Sequence, residues 1–256
     1  MKRLLLLGGM TPDVTALYYA SINRHARDRL GGRRSAPLHL YSADLHAMVD
    51  LASAGDWDDF AASYVEGAGM HALAGRFDAV VVCAILAHKA TRQIVHALST
   101  LPNNNADGAA APPPPLLHIA DCVASHLRAQ HPDIRALGLL GPKITMEDVD
   151  DPDFFAGRLA AAGYEVVVPE AAADRDEVNR GMMEEVVRGA AAVTQGTRAM
   201  FVEQARALAR RGAGAIILGS TDLGFVVTQE DLGDDVVIIE PAAIHAAEAA
   251  RWALEE

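Results

Sequence analysis

The sequence predicts an α/β protein made of two similar halves, and three pairs of matching segments predict it. Residues 214–224, GAIILGSTDLG, form a short apolar run with adjacent β-branched residues that stops where Ser220, Thr221 and Asp222 arrive together; residues 79–89, AVVVCAILAHK, have the same form. Residues 4–10, LLLLGGM, resemble residues 137–142, LGLLGP, and residues 116–121, LLHIAD, resemble residues 237–241, VIIEP. Short apolar runs of this kind are buried parallel strands, and in parallel α/β sheets ligands bind beyond the strands' carboxyl ends. Each half therefore runs strand with glycine turn, strand with polar end, and strand with an acidic residue before a helix. The expected architecture is two Rossmann-like α/β lobes related by a pseudo-two-fold axis, with the site in the cleft between them. The first lobe is expected to hold residues 1–100 together with a returning segment 225–256, and the second residues 116–224.

The elements follow in order. Residues 4–7 make the first strand and residues 8–13, Gly-Gly-Met-Thr-Pro-Asp, its turn, with Thr11 or Asp13 capping a helix that begins near Pro12. Free amides at Gly9, Met10 and Thr11 suit a carboxylate or phosphate. The helix runs to about Leu30 and ends at Gly31-Gly32; Val14, Leu17, Tyr18 and Ile22 recur at helical spacing, so Tyr18 and Tyr19 belong to the core. Residues 37–45, PLHLYSADL, alternate as a strand with His39 and Tyr41 on one face, and His46 follows. Residues 56–73 and 197–211 are amphipathic helices. Residues 102–115, PNNNADGAAAPPPP, are the low-complexity stretch and predict an exposed connection. A helix over 122–130 enters the second half, which continues with a helix over 150–162, a strand over 164–169 and a charged helix over 173–189.

Composition limits the partners. A chain of 256 residues with 51% hydrophobic content can bury a large core. The formal charge of −12, with no basic run longer than a pair of arginines, argues against nucleic acid or an anionic membrane and for a small-molecule ligand. Two cysteines, Cys83 and Cys122, make neither a disulfide framework nor a metal-ligand spacing, which predicts a reduced, cytoplasmic setting. The leucine run after Met1-Lys2-Arg3 ends at Gly8-Gly9, too short for a signal h-region or a membrane span.

Leu7-Gly8-Gly9-Met10-Thr11, Leu30-Gly31-Gly32 with Ser35-Ala36, Leu40-Tyr41-Ser42-Ala43-Asp44, Leu117-His118-Ile119-Ala120-Asp121, Thr145-Met146 and Leu218-Gly219-Ser220-Thr221-Asp222 resemble, in order and over nearly the whole chain, the aspartate/glutamate racemase family. The resemblance implies two α/β lobes with the active site between them, a homodimer, and no cofactor. Two facing thiols, the first sometimes replaced by threonine, would remove and return the α-proton of an amino acid.

This chain departs from that pattern at both thiols. Where the family reads Cys-Asn-Thr-x-His, alignment on His88 places Ala84, Ile85 and Leu86; where it reads Cys-Thr-Glu, this chain has Ser220, Thr221 and Asp222. Cys83 stands one residue early, and side-chain alternation turns it away from the site. A serine hydroxyl titrates far above a thiol, so Ser220 lacks the proton-accepting state at neutral pH without a strong base. Ala84, Ile85 and Leu86 make one wall apolar, where burying a free amino acid's charges without partners costs at least a few kcal/mol. The expectation is an isomerase, lyase or cyclase of a relatively hydrophobic carboxylic acid or carbonyl compound. Ser220, Asp222 and His88 would act on the ligand, and Gly9, Met10, Thr11, Ala84, Ile85, Leu86, Thr145 and Thr221 would bind it. The alternatives are an atypical aspartate/glutamate racemase and a non-catalytic small-molecule binding protein.

Overall fold

The structure, a computed structural model, describes residues 1–101, 112–220, 222–234 and 236–255. The expected connection over 102–115 lies mostly outside the described residues. The chain divides into two compact units, one of residues 1–118 with 245–256 and the other of residues 119–244.

In the first unit, β1 (Leu4–Gly8) leads into α1 (Pro12–Leu30), then β2 (Leu38–Ser42), α2 (Leu45–Ala54), α3 (Trp57–Gly67), β3 (Ala79–Val82), α4 (Thr91–Ser99) and β4 (Leu116–Leu117). The second holds α5 (Ile119–Gln130), β5 (Ala136–Leu140), α6 (Lys143–Glu147), α7 (Phe155–Ala161), β6 (Glu165–Val167), α8 (Ala172–Glu184), α9 (Gln195–Arg210), β7 (Ala215–Leu218), α10 (Gln229–Leu232) and β8 (Val237–Ile239); α11 (Pro241–Leu254) returns the chain to the first unit.

Both sheets are parallel, ordered β2-β1-β3-β4 and β6-β5-β7-β8, so the paired segments of the sequence occupy corresponding strands. Every residue of β1, β3 and β7 is buried, as continuous apolar runs in central parallel strands require. Alternation sends Leu5, Leu7, Val80 and Val82 into a core with Met48, Phe60, Tyr64 and Ile94. In the second unit Leu140, Ile216 and Leu218 pack with Val178, Met182, Phe201 and Leu208.

Several boundaries differ from expectation for identifiable reasons. The return to the first unit starts at His245, not at residue 225, because β8 pairs with β7 and keeps the preceding segment in the second unit. The helix expected to reach residue 73 stops at Gly67 because Gly69 turns left-handed (φ +58°), its amide donating to the Glu66 carbonyl at 2.9 Å. The helix expected over 150–162 starts only at Phe155, because the Asp151 carbonyl accepts the Phe154 amide in a turn that precedes it. The charged helix ends at Glu184; the next carboxylate, Glu185, accepts hydrogen bonds from the Thr194 amide (2.7 Å) and the Thr197 hydroxyl (2.6 Å). Thr11 stands at the N-cap of α1, but its side chain makes no capping bond. The turn is closed from within the helix instead, where the Thr15 hydroxyl accepts the Gly9 amide (2.9 Å) and donates to the Thr11 carbonyl (3.1 Å).

Candidate functional site

The carboxyl ends of the two central strands in each sheet carry the candidate residues, and backbone hydrogen bonds fix their register. In the first unit Leu7 pairs with Val82, and the Cys83 amide donates to the Leu7 carbonyl at 2.8 Å. In the second Leu140 pairs with Leu218, and the Gly219 amide donates to the Leu140 carbonyl at 2.7 Å. Cys83 thus corresponds to Gly219, and counting on from there Ala84 corresponds to Ser220.

Gly9 begins the first unit's turn with φ of +100°, and a Cβ on it would lie 2.2 Å from the Ala43 carbonyl oxygen. Its amide is already taken by Thr15, so among the expected donors only Met10 and Thr11 have amides with no described partner. Met10 is buried in the core, and Thr11 is half-buried. Beyond β3, the Cys83 thiol is wholly buried and reaches the Val81 carbonyl at 3.9 Å; burial pushes it far above the ordinary thiol range. Ala84 joins the core and Ile85 is buried as well, leaving Leu86 as the half-buried member of the apolar trio.

His88 is 1% exposed, and its Nδ1 donates to the Ala84 carbonyl at 2.8 Å. It belongs to a buried group the sequence did not reveal. The His118 ring stands edge-on to it at 4.4 Å between centroids, and the His245 ring lies at 5.8 Å. His245 Nε2 lies 2.9 Å from the Leu117 carbonyl, which can only accept, so Nε2 carries the proton and Nδ1 accepts from the Tyr18 hydroxyl at 2.9 Å. Burial holds His245 neutral by lowering its pKa to about 4, against the opposing effect of the Leu117 carbonyl. Tyr18 is fully buried as expected, whereas Tyr19 is 52% exposed; His46 is also exposed and lies beside Asp50 one helical turn on.

In the second unit, Gly141 and Gly219 lie so close that a Cβ on Gly141 would stand 2.7 Å from the Gly219 carbonyl carbon. This approach sets the start of α6 beside the Ser220 turn. Thr145 on α6 is fully buried, and its hydroxyl makes no hydrogen bond among the described residues. The Ser220 hydroxyl donates to Asp222 Oδ2 at 3.3 Å, and Asp222 is a buried residue, 8% exposed. Thr221 lies outside the described residues. These groups offer a carboxylate able to accept a proton, a hydroxyl turned toward it, and a second hydroxyl with donor and acceptor capacity to spare. Among the described residues no group of three or more His, Cys, Asp or Glu side chains is placed to hold a metal ion.

The profile of a family described as Asp/Glu/Hydantoin racemase matches residues 7–249. The chain belongs to that family. A candidate Asp/Glu racemase from Yersinia pestis is 34% identical over the whole of both chains, with a TM-score of 0.81. An aspartate racemase homologue from Pyrococcus horikoshii OT3 is 23% identical, again over both whole chains, with a TM-score of 0.74. Glutamate racemase from Francisella tularensis, solved with D-glutamate, shares the fold at 10% identity and a TM-score of 0.57, covering 99% of this chain and 81% of its own. Within the Asp/Glu/Hydantoin racemase family, this chain thus keeps the two parallel four-stranded sheets and places an alanine and a serine at corresponding strand ends. No helix among the described residues is long and apolar enough to cross a membrane.

Proposed function

We propose that this family member is an enzyme that works without a cofactor on a relatively hydrophobic small carboxylic acid or carbonyl compound, by isomerase, lyase or cyclase chemistry, and does not racemise amino acids with two thiols. The observation that carries this reading is the matched pair of backbone bonds, Cys83 to Leu7 and Gly219 to Leu140. That register sets Ala84 and Ser220 at the corresponding positions where the family resemblance expects two thiols, and it keeps Cys83 one residue out of step. Cys83 is buried and held protonated, so it supplies no thiolate.

The proton acceptor is then Asp222, with the Ser220 hydroxyl donating to it and orienting it. In the second unit Thr145, buried with an unused hydroxyl, binds a ligand oxygen. The first unit offers the amides of Met10 and Thr11, the apolar Leu86 and the His88 imidazole.

Hydrogen–deuterium exchange at the α-carbon, followed by proton NMR in deuterated water, separates the possibilities. Aspartate and glutamate should show no exchange above a protein-free control, and exchange with either overturns the proposal. A panel of alkyl-bearing carboxylic acids and carbonyl compounds should yield a ligand by saturation-transfer NMR. Its turnover should fall by about a hundredfold or more in Asp222→Asn with little change in binding, on the scale usual for loss of a general base. Ligand binding without any turnover would favour the non-catalytic alternative.

A further inference from the structure

We infer that the cavity between the carboxyl-terminal ends of α1 and α11 is a binding site for a phosphorylated sugar, free or as part of a nucleotide. The cavity measures about 730 Å³, the size of a small-molecule site, and lies wholly within the first unit. His25 and Arg29 of α1 line one side, and Ala247, Glu248, Arg251 and Leu254 of α11 the other. α1 starts beside the Met10 and Thr11 amides and, over 19 residues, carries the chain about 28 Å to the amino-terminal edge of the first sheet. At that edge the Leu4 amide donates to the Pro37 carbonyl and the Lys2 amide to the Ala253 carbonyl. The strand ends that carry Ala84 and His88 are at the opposite edge, so this site is separate from the chemistry proposed above.

Charge singles out this end of the unit. Residues 24–34, RHARDRLGGRR, hold five arginines against one aspartate in a chain whose formal charge is −12. All five are exposed, and among the described residues none pairs with a carboxylate, whereas Arg3, Arg158, Arg175 and Arg198 each do. The helix dipole accounts for Arg27 and Arg29 in the last turn of α1. It does not account for Arg33 and Arg34, which follow the left-handed turn at Gly31 and Gly32 (φ +71° and +63°). His25 Nδ1 donates to the Ser21 carbonyl at 2.8 Å, which leaves Nε2 for a ligand. On the α11 side Arg251 is neutralised, held by Glu248 (2.6 and 3.0 Å) and by Glu255. Those two carboxylates repel an anion but keep lone pairs for hydroxyl donors. A phosphate dianion therefore belongs at Arg29 and His25, where the guanidinium fork matches its oxygens, and the sugar hydroxyls belong at Glu248 and Glu255. Ala247 and Leu254, both half-buried, take the C–H face of the ring.

Isothermal titration calorimetry on the full chain tests the site with ribose 5-phosphate, adenosine monophosphate, ribose and inorganic phosphate. At least one of the two esters should bind, one per chain, and at least tenfold more tightly than ribose or inorganic phosphate. Which ester binds more tightly tells a free sugar phosphate from a nucleotide. Arg29→Gln should weaken that ester by about tenfold, the scale of a lost charge-assisted contact. Arg76→Gln, at an exposed arginine elsewhere in the same unit, should leave it unchanged. Ala247→Phe, which fills the cavity without altering a charge, should abolish binding while far-ultraviolet circular dichroism stays as in wild type. Esters that bind no more tightly than ribose or inorganic phosphate, or binding that either Arg29→Gln or Ala247→Phe leaves intact, overturn the inference.

Discussion

Unfolded, the His245 imidazole titrates near 6.5; folded, burial lowers it to about 4, so between those values the unfolded chain binds a proton that the folded one refuses. The contribution is complete above the unfolded value and is lost as pH falls toward the folded one, at a cost of about 3 kcal/mol. Urea unfolding of wild type and His245→Gln, compared at neutral pH and near pH 4.5, should show a shallower acid loss in the variant. Equal losses would mean that another group carries the acid sensitivity. Cys83 supplies a second test at this scale. Iodoacetamide should label it only after denaturation, while Cys122, which is half-buried, labels first. Rapid native labelling of Cys83 that a ligand suppresses would bring back a thiol mechanism. Gly9→Ala combines a left-handed backbone with a Cβ driven into Ala43 and should cost about 3 kcal/mol or more in thermal or chemical unfolding.

Strands were easier to read in the sequence than the helix ends. The apolar runs of β1, β3, β5 and β7 announce themselves because central parallel strands are buried on both faces, and the matched segments prove to occupy corresponding places in the two sheets. Where α7 starts is set by a short-range turn bond from the Phe154 amide to the Asp151 carbonyl, whereas where α8 stops depends on more distant groups, Thr194 and Thr197 pulling on Glu185. No local pattern encodes the Glu185 contacts. The candidate site divides in the same way. Ser220 and Asp222 are legible because they sit together at a strand end, whereas Tyr18 and His245 meet across 227 positions of sequence. At this scale Arg3 and Asp78 form a testable clamp between the starts of β1 and β3. The Arg3 guanidinium grips both carboxylate oxygens (3.0 and 2.7 Å), its backbone amide donates to Oδ2 (2.6 Å), and the pair holds the Asp78 carboxyl below its ordinary range. Asp78→Ala should cost about 1 kcal/mol by chemical denaturation, since the pair is partly solvated, and no loss would show the clamp to be decorative.

At the scale of the whole chain, the first unit is assembled from two stretches of sequence and relies on the second to close. Ala246, Ala249, Ala250 and Ala253 of α11 are fully buried, and the Lys2 amide donates to the Ala253 carbonyl at 2.8 Å. Removing residues 245–256 should therefore strip amide-exchange protection from β1–β4 while β5–β8 keep theirs. Uniform loss in both sheets would show that the two units unfold as one. The same Lys2–Ala253 bond brings the beginning and end of the chain to within one hydrogen bond of each other. A short linker could join them, and new ends opened before His245 would give a circular permutant running 245–256, linker, 1–118, 119–244. In that order each unit becomes one uninterrupted stretch of polypeptide, so a single stop codon after residue 118 would express the first unit, with the part of α11 from His245 onward, as a domain of its own.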